Sequence, residues 1–167
     1  QHLYNPANGW VQPRMGEGSF KSPFDPGAAD VYMEGNGAQY HWLVPHNPRG
    51  LITAMGGDRE AVARLDTYFK ELNAGPHRPF AYLGNEVALQ SPWLYAWAGK
   101  PYRTQEVVRR TQKELFGPGP DGLVGNDDLG TMGAWYVWSA MGLFPAIPGR
   151  AELLVNTPLF DKVTIDR

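Results

Sequence analysis

The distribution of glycine and proline constrains this chain more than any other feature. Twenty Gly and 15 Pro gather mainly at 5–26, 45–57, 75–79, 117–130 and 142–149. Proline inside a helix removes a hydrogen bond and clashes with the preceding turn, and glycine there costs backbone entropy. Regular structure is therefore confined to the segments between these stretches, which read as structured loops, three of them of more than about 10 residues. Loops of that length argue against a simple helix bundle.

Between the loops the period is mostly helical. A first, short helix is expected from Glu34 to Pro45 in YMEGNGAQYHWLVPH. Asp58 to Leu72 is the clearest amphipathic run, with Asp58 as cap and Ala61, Val62, Leu65, Tyr68, Phe69 and Leu72 at helical spacing. Gly75-Pro76 ends it. Ser91-Pro92 reads as the start of another helix, continuing through Trp93, Leu94, Tyr95 and Trp97 to Gly99. A further helix is expected over 103–116, with Thr104, Val107, Val108, Thr111 and Leu115 inward. TMGAWYVWSAMGLF is apolar almost all round, which predicts burial on all sides. The tail AELLVNTPLFDKVTIDR alternates and predicts β structure. Four or five helices alternating with long polar-aromatic loops point to a toroid of helical hairpins with its site at one rim.

Charge and composition exclude several classes of function. Fifteen basic and 17 acidic residues give a net charge of −2 without a block of either sign, which argues against nucleic acid and anionic membranes as partners. Cysteine is absent, so disulfides and thiolate metal sites are excluded. No apolar run approaches the roughly 18 residues needed to cross a bilayer, and no charged-then-apolar leader is present, as in a mature or truncated chain. The four histidines lack zinc spacing, and GxSxG, GxGxxG and P-loop patterns are missing. Aromatic residues make up 13% of the chain against 19% charged. That surplus fits a surface that stacks on sugars, and equally a core filled by Trp-rich helices.

Three loop segments share one composition, a carboxylate beside Gly and Asn at the start of a helix: Glu34-Gly35-Asn36, Gly84-Asn85-Glu86 and Gly125-Asn126-Asp127-Asp128. Such residues are also the ordinary punctuation of turns and caps. Their recurrence in like positions has a chemical reason in glycoside hydrolysis, where one carboxyl donates a proton to the leaving oxygen and another, ionised, activates water. Glu34, flanked in sequence by Tyr32, Met33, Tyr40 and Trp42, is expected in apolar company that favours the neutral acid. Asp127 and Asp128, at a helix N-terminus, are expected to stay ionised and to supply the base. His41 and His46 flank Trp42 and are candidates for sugar contact. Surplus acidic oxygens raise a hard cation such as calcium, although no EF-hand spacing is present.

The segments YMEGNGAQYHWLVPH, GNE at 84–86, WLYAWAGKPYRTQ at 93–105 and GLVGNDDLGTMGAWYVWSAMGLFPAIPG at 122–149 resemble, in order and wording, the C-terminal catalytic region of glycoside hydrolase family 92. The resemblance covers essentially the whole chain. It implies a calcium-dependent exo-α-mannosidase that inverts configuration, secreted, periplasmic or at the cell surface, acting on mannose-containing glycans such as N-glycans. It implies an all-α fold, the second half of an (α/α)6 toroid over 1–149, with a C-terminal β segment beginning at 150–167. An N-terminal β-sandwich and the first half of the barrel would belong to the full-length protein, and the fragment alone is expected to be inactive.

By the same resemblance Glu34 is the general acid and Asp127 or Asp128 the base. Asn85 and Glu86 fall around the leaving-group subsite and are expected to bind substrate, with Glu86 and Gln90 as metal ligands; Trp42 and His46, near Glu34 in sequence, are further substrate-binding candidates. Two departures stand out: Asn85 replaces the His found before this Glu in members cutting α-1,2 linkages, and Val-Ala-Leu-Gln follows Glu86 where Pro and polar residues are usual. The rival readings are another inverting α/α-toroid glycosidase, and a non-catalytic glycan-binding or scaffold module.

Overall fold

The structure, a computed structural model, describes residues 2–166. Its helices are α1 Gly37–Tyr40, α2 Pro48–Ala54, α3 Asp58–Tyr68, α4 Leu94–Trp97, α5 Pro101–Glu114 and α6 Thr131–Ala140. Two 3-10 turns, Glu86–Ala88 and Ser91–Trp93, lead into α4. Strands β1 Tyr4–Asn5 and β2 Trp10–Val11 pair antiparallel, as do β3 Leu143–Phe144 and β4 Leu154–Val155. The described residues are thus mostly helical with a few short strands, and they do not close a barrel.

Helix α5 follows its sequence signals closely. Pro101 occupies the first turn, and Thr104, Val107, Val108 and Thr111 are buried as their spacing predicts. Gln112, also buried, donates to Ser139 Oγ of α6 at 3.0 Å and ties the two helices. Helix α3 ends at Tyr68 rather than Leu72, and its cap is Gly57, not Asp58. Gly57 has φ 107°, and Asp58 is instead drawn to Arg49 Nη1 at 2.5 Å.

Three expected elements differ. Helix α1 is a single turn, because Glu34 has φ 57° and cannot join a right-handed helix. Helix α2 lies inside a stretch that glycine and proline mark as loop; Asn47 caps it by accepting from Gly50 N–H at 3.0 Å, and Pro48 starts it. The segment opened by Ser91 is a 3-10 turn followed by the short α4, and Ser91 does not cap it but donates to the Ala88 carbonyl.

The aromatic residues mainly fill the interior. Trp42 packs with Leu65, Tyr68, Phe69, Leu83 and Tyr95 in the larger core. Trp93, Val108, Met132 and Trp135 form a second core, where Phe144 of β3 stacks on Trp93 with centroids 4.4 Å apart. Helix α6 is not buried on all sides: Met132, Trp135, Ser139 and Ala140 are inward, whereas Val137 is 56% exposed. It packs against α5 and β3, and Trp135 Nε1 donates to the Leu89 carbonyl at 2.9 Å. In the tail only Leu154–Val155 forms strand. Backbone bonds from Asn156 N–H to Gly142 and from Leu159 N–H to Ala140 fasten this segment to the end of α6.

Candidate active site

Each of the three Gly-Asn-carboxylate segments is held by local chemistry before it meets the others. In the first, Asn36 Oδ1 accepts from the N–H groups of Ala38 and Gln39, while Gln39 Oε1 accepts from Asn36 N–H. This is a capping box for α1. The amide nitrogens of the same two residues donate to the carbonyls of Pro76, Arg78, Gly75 and Phe80, binding the segment to the 75–80 loop. Asn36 therefore serves structure. Just upstream, Glu34 is held in the left-handed region, where a residue other than glycine is uncommon and costs energy.

In the second segment Gly84 N–H donates to Asn73 Oδ1 at 3.0 Å. The buried Asn85 donates through Nδ2 to the Glu34 carbonyl at 2.6 Å. Glu86 begins the following 3-10 turn with its side chain exposed.

The third segment carries three consecutive left-handed residues, Asp128 at φ 50°, Leu129 at 57° and Gly130 at 88°. Asp128 turns its carbonyl onto Thr131, accepting from its N–H at 3.1 Å and its hydroxyl at 2.7 Å. Asp127 Oδ1 accepts from Gly133 N–H at 3.0 Å in the first turn of α6, whose cap residue Gly130 has no side chain to offer.

The three segments meet at one cleft of about 370 Å³, lined by Glu34, Pro76, Tyr82, Gly84, Asn85, Gly125, Asn126 and Asp128. One residue from each segment, Glu34, Asn85 and Asp128, thus lines one open space. Asp127 is not among the lining residues, and Glu86 stands beside the cleft rather than in its wall. Tyr40 joins Glu34 and Glu86 electrostatically: its hydroxyl is pushed above the ordinary tyrosine range, first by burial and then by these two carboxylates.

Several residues singled out from sequence lie elsewhere. Trp42 is 1% exposed and belongs to the larger core. His41 is buried between Trp10 and Trp42. His46 lines a separate groove with Tyr4, Leu43 and Asn47. The apolar company expected for Glu34 is not found, since Glu34 is exposed while Tyr32 and Tyr40 pack on one another. The sequence presents Tyr40 only as apolar company for Glu34, and does not single out Tyr82 or Pro76 as site residues. Tyr82 stood two residues before Gly84, and Pro76 read only as a helix stop.

Among the described residues no group of three or more His, Cys, Asp or Glu could hold a metal ion. Gln90 is buried and donates through Nε2 to the Ala146 carbonyl at 2.8 Å, while Glu86 is exposed. The side-chain amide oxygens of Asn85 and Gln90 are buried without hydrogen-bond partners and are hard donors by type. Calcium asks for six to eight oxygens, and the described residues do not make a complete shell for it.

No helix among the described residues is long and apolar enough to cross a membrane. The family model for the glycosyl hydrolase family 92 catalytic domain matches residues 1–167. A family GH92 alpha-mannosidase from Bacteroides thetaiotaomicron superposes with a TM-score of 0.83 at 31% identity, over 95% of this chain and 21% of that one. A family GH92 inverting mannosidase from the same species gives 0.80 at 30%, over 95% and 24%. A curated Arthroderma benhamiae protein called an uncharacterized secreted glycosidase is 36% identical over 124 residues, 74% of this chain and 15% of that protein. The chain therefore spans between about a seventh and a quarter of the length of these relatives. With its full length matched and its fold shared, the chain belongs to the glycosyl hydrolase family 92 catalytic-domain family.

Proposed function

We propose that this chain carries the acid and base of an inverting exo-α-mannosidase that releases terminal α-linked mannose from glycans outside the cell. One observation carries the reading: Glu34 and Asp128, from segments far apart in sequence, line the same cleft. Glu34, protonated, donates to the glycosidic oxygen as the bond to the sugar breaks. Asp128, ionised, takes a proton from the water that attacks the anomeric carbon from the opposite face. Asp128 is favoured over Asp127 because Asp127 is already engaged at α6 and does not line the cleft. Tyr82 and Pro76 supply wall against which a sugar face can rest.

In this reading residues 1–149 form part of the second half of an (α/α)6 barrel and 150–167 begin a β segment at its end. The remaining barrel and an N-terminal β-sandwich complete the sugar pocket, so the 167-residue chain alone is inactive. Calcium belongs to the reading only as an ion whose shell is completed by oxygen donors beyond the described residues. The chemistry assigned to Glu34 and Asp128 contains no step through it.

The test uses the complete family 92 enzyme carrying this chain. Proton NMR of the first product formed from an α-mannoside should show β-mannose. E34Q and D128N should each lower kcat by about 10²-fold or more. Retained configuration, or an active E34Q enzyme on an unactivated glycan, would sink the assignment. Dialysis against EGTA, with restoration by added calcium, tests the metal separately.

A further inference from the structure

We propose that Tyr40 and Asn85 are positioning residues for Glu34, clamping the peptide planes on either side of its α-carbon so that a left-handed backbone presents its carboxyl to the cleft. The inference rests on the reading of Glu34 as the acid.

The direction of a side chain follows from φ and ψ, and these are the rotations of the two peptide planes that flank the α-carbon. The plane before Glu34 is marked by the Met33 carbonyl, which accepts from the Tyr40 hydroxyl at 2.7 Å. The plane after it is marked by the Glu34 carbonyl, which accepts from Asn85 Nδ2 at 2.6 Å. Both planes are therefore tied by side-chain donors, one from each of two different elements. Holding both fixes φ and ψ together; holding one leaves the other rotation free.

Such a clamp has work to do here. Glu34 has φ 57°, a conformation that glycine or asparagine adopts more readily than glutamate. Nothing in a glutamate side chain compensates locally, so the conformation persists only if its surroundings impose it. Both donors are themselves well anchored. Tyr40 closes α1, which the capping box of Asn36 and Gln39 holds. Asn85 is 5% exposed and follows Gly84, whose N–H is tied to Asn73.

The orientation of the Asn85 amide is dictated by its partner, since a carbonyl can only accept and the nitrogen must face it. This leaves Asn85 Oδ1 buried with no partner. Folding alone gives no reason to keep a buried unpaired oxygen, whereas fixing the peptide after Glu34 does. Tyr40 remains protonated, and so remains a donor, because burial above all raises its pKa.

The experiment compares Y40F, N85A and E34Q in the complete enzyme on two substrates: an unactivated α-mannosyl disaccharide, and an aryl α-mannoside whose leaving group needs no protonation. Misplacing the acid should lower kcat on the disaccharide by about 10- to 100-fold with KM little changed. On the activated substrate the loss should be several-fold smaller than on the disaccharide, because the interaction lost is made only when the leaving oxygen takes its proton. Y40F removes a single oxygen and guards against an N85A enzyme that fails to fold; melting temperature reports folding for each. Equal losses on both substrates, or no loss in folded Y40F or N85A while E34Q is selectively impaired, would overturn the clamp and leave the acid assignment standing. An E34Q enzyme indifferent to the leaving group would instead remove the acid assignment and the clamp with it.

Discussion

Gly125 lies so close to Gly84 that a methyl group added at 125 would sit 2.1 Å from the Gly84 carbonyl oxygen. Two of the three site loops thus meet backbone against backbone, and Gly125 is also left-handed at φ 72°. G125A is expected to cost about 2 kcal/mol or more, from the left-handed conformation together with the overlap. Activity should fall with it, because Gly125 and Asp128 share a loop. Chemical denaturation beside kcat measurement checks this; an alanine variant of native stability would mean the loops separate cheaply.

The two adjacent aspartates should part company on mutation. D127N weakens the acceptor for Gly133 N–H at the start of α6, a loss of about 1 kcal/mol with most activity kept. D128N should leave stability nearly unchanged and remove turnover. The reverse pattern would move the base to Asp127.

His41 should make the protein acid-sensitive. Burial, and secondarily the Arg64 cation, pull its pKa from 6.5 down to about 3. Val11 N–H donates to Nδ1 at 3.2 Å, and Nε2 lies 3.3 Å from both the Met55 sulfur and Arg64 Nη1. Between pH 6.5 and 3 the unfolded chain binds a proton on this residue that the folded chain refuses. Stability therefore falls as pH drops through that window, with a slope of up to about 1.4 kcal/mol per unit from this group. H41Q, which keeps an acceptor for Val11, should flatten the slope when melting is followed from pH 7 to 4.

The 167-residue chain, purified alone, should release no mannose from an aryl α-mannoside. Apolar Val137 and Leu129 stand at its surface. Sedimentation should also show association through such patches. Robust turnover by this chain would contradict the shared-pocket reading.

Much of the framework was legible in the sequence because it rests on local rules. Helices α3 and α5 follow from period 3.6 and from their first turns, and the three site segments stood out by their shared composition. What escaped depends on contacts distant in sequence. Trp42 and His46 are near Glu34 along the chain, yet one turn of helix sends Trp42 into the core with Leu65 and Tyr68, and His46 into another groove. Tyr40 looked like one more aromatic residue; its hydroxyl matters because Met33 folds back over it. Helix α2 carried its own start signal in Asn47-Pro48, masked by the glycines around it.

The three site loops are joined through Gly84 and Gly125 backbone atoms and through the Glu34 carbonyl. Apart from Asn85, that joinery uses no side chain of the cleft wall. Tyr82, Pro76 and Asn126 can therefore be exchanged without unseating the two carboxylates. The cleft is a fixed frame with replaceable panels, so under the proposed function the choice of sugar or linkage would vary with the panels while the two carboxylates keep their places.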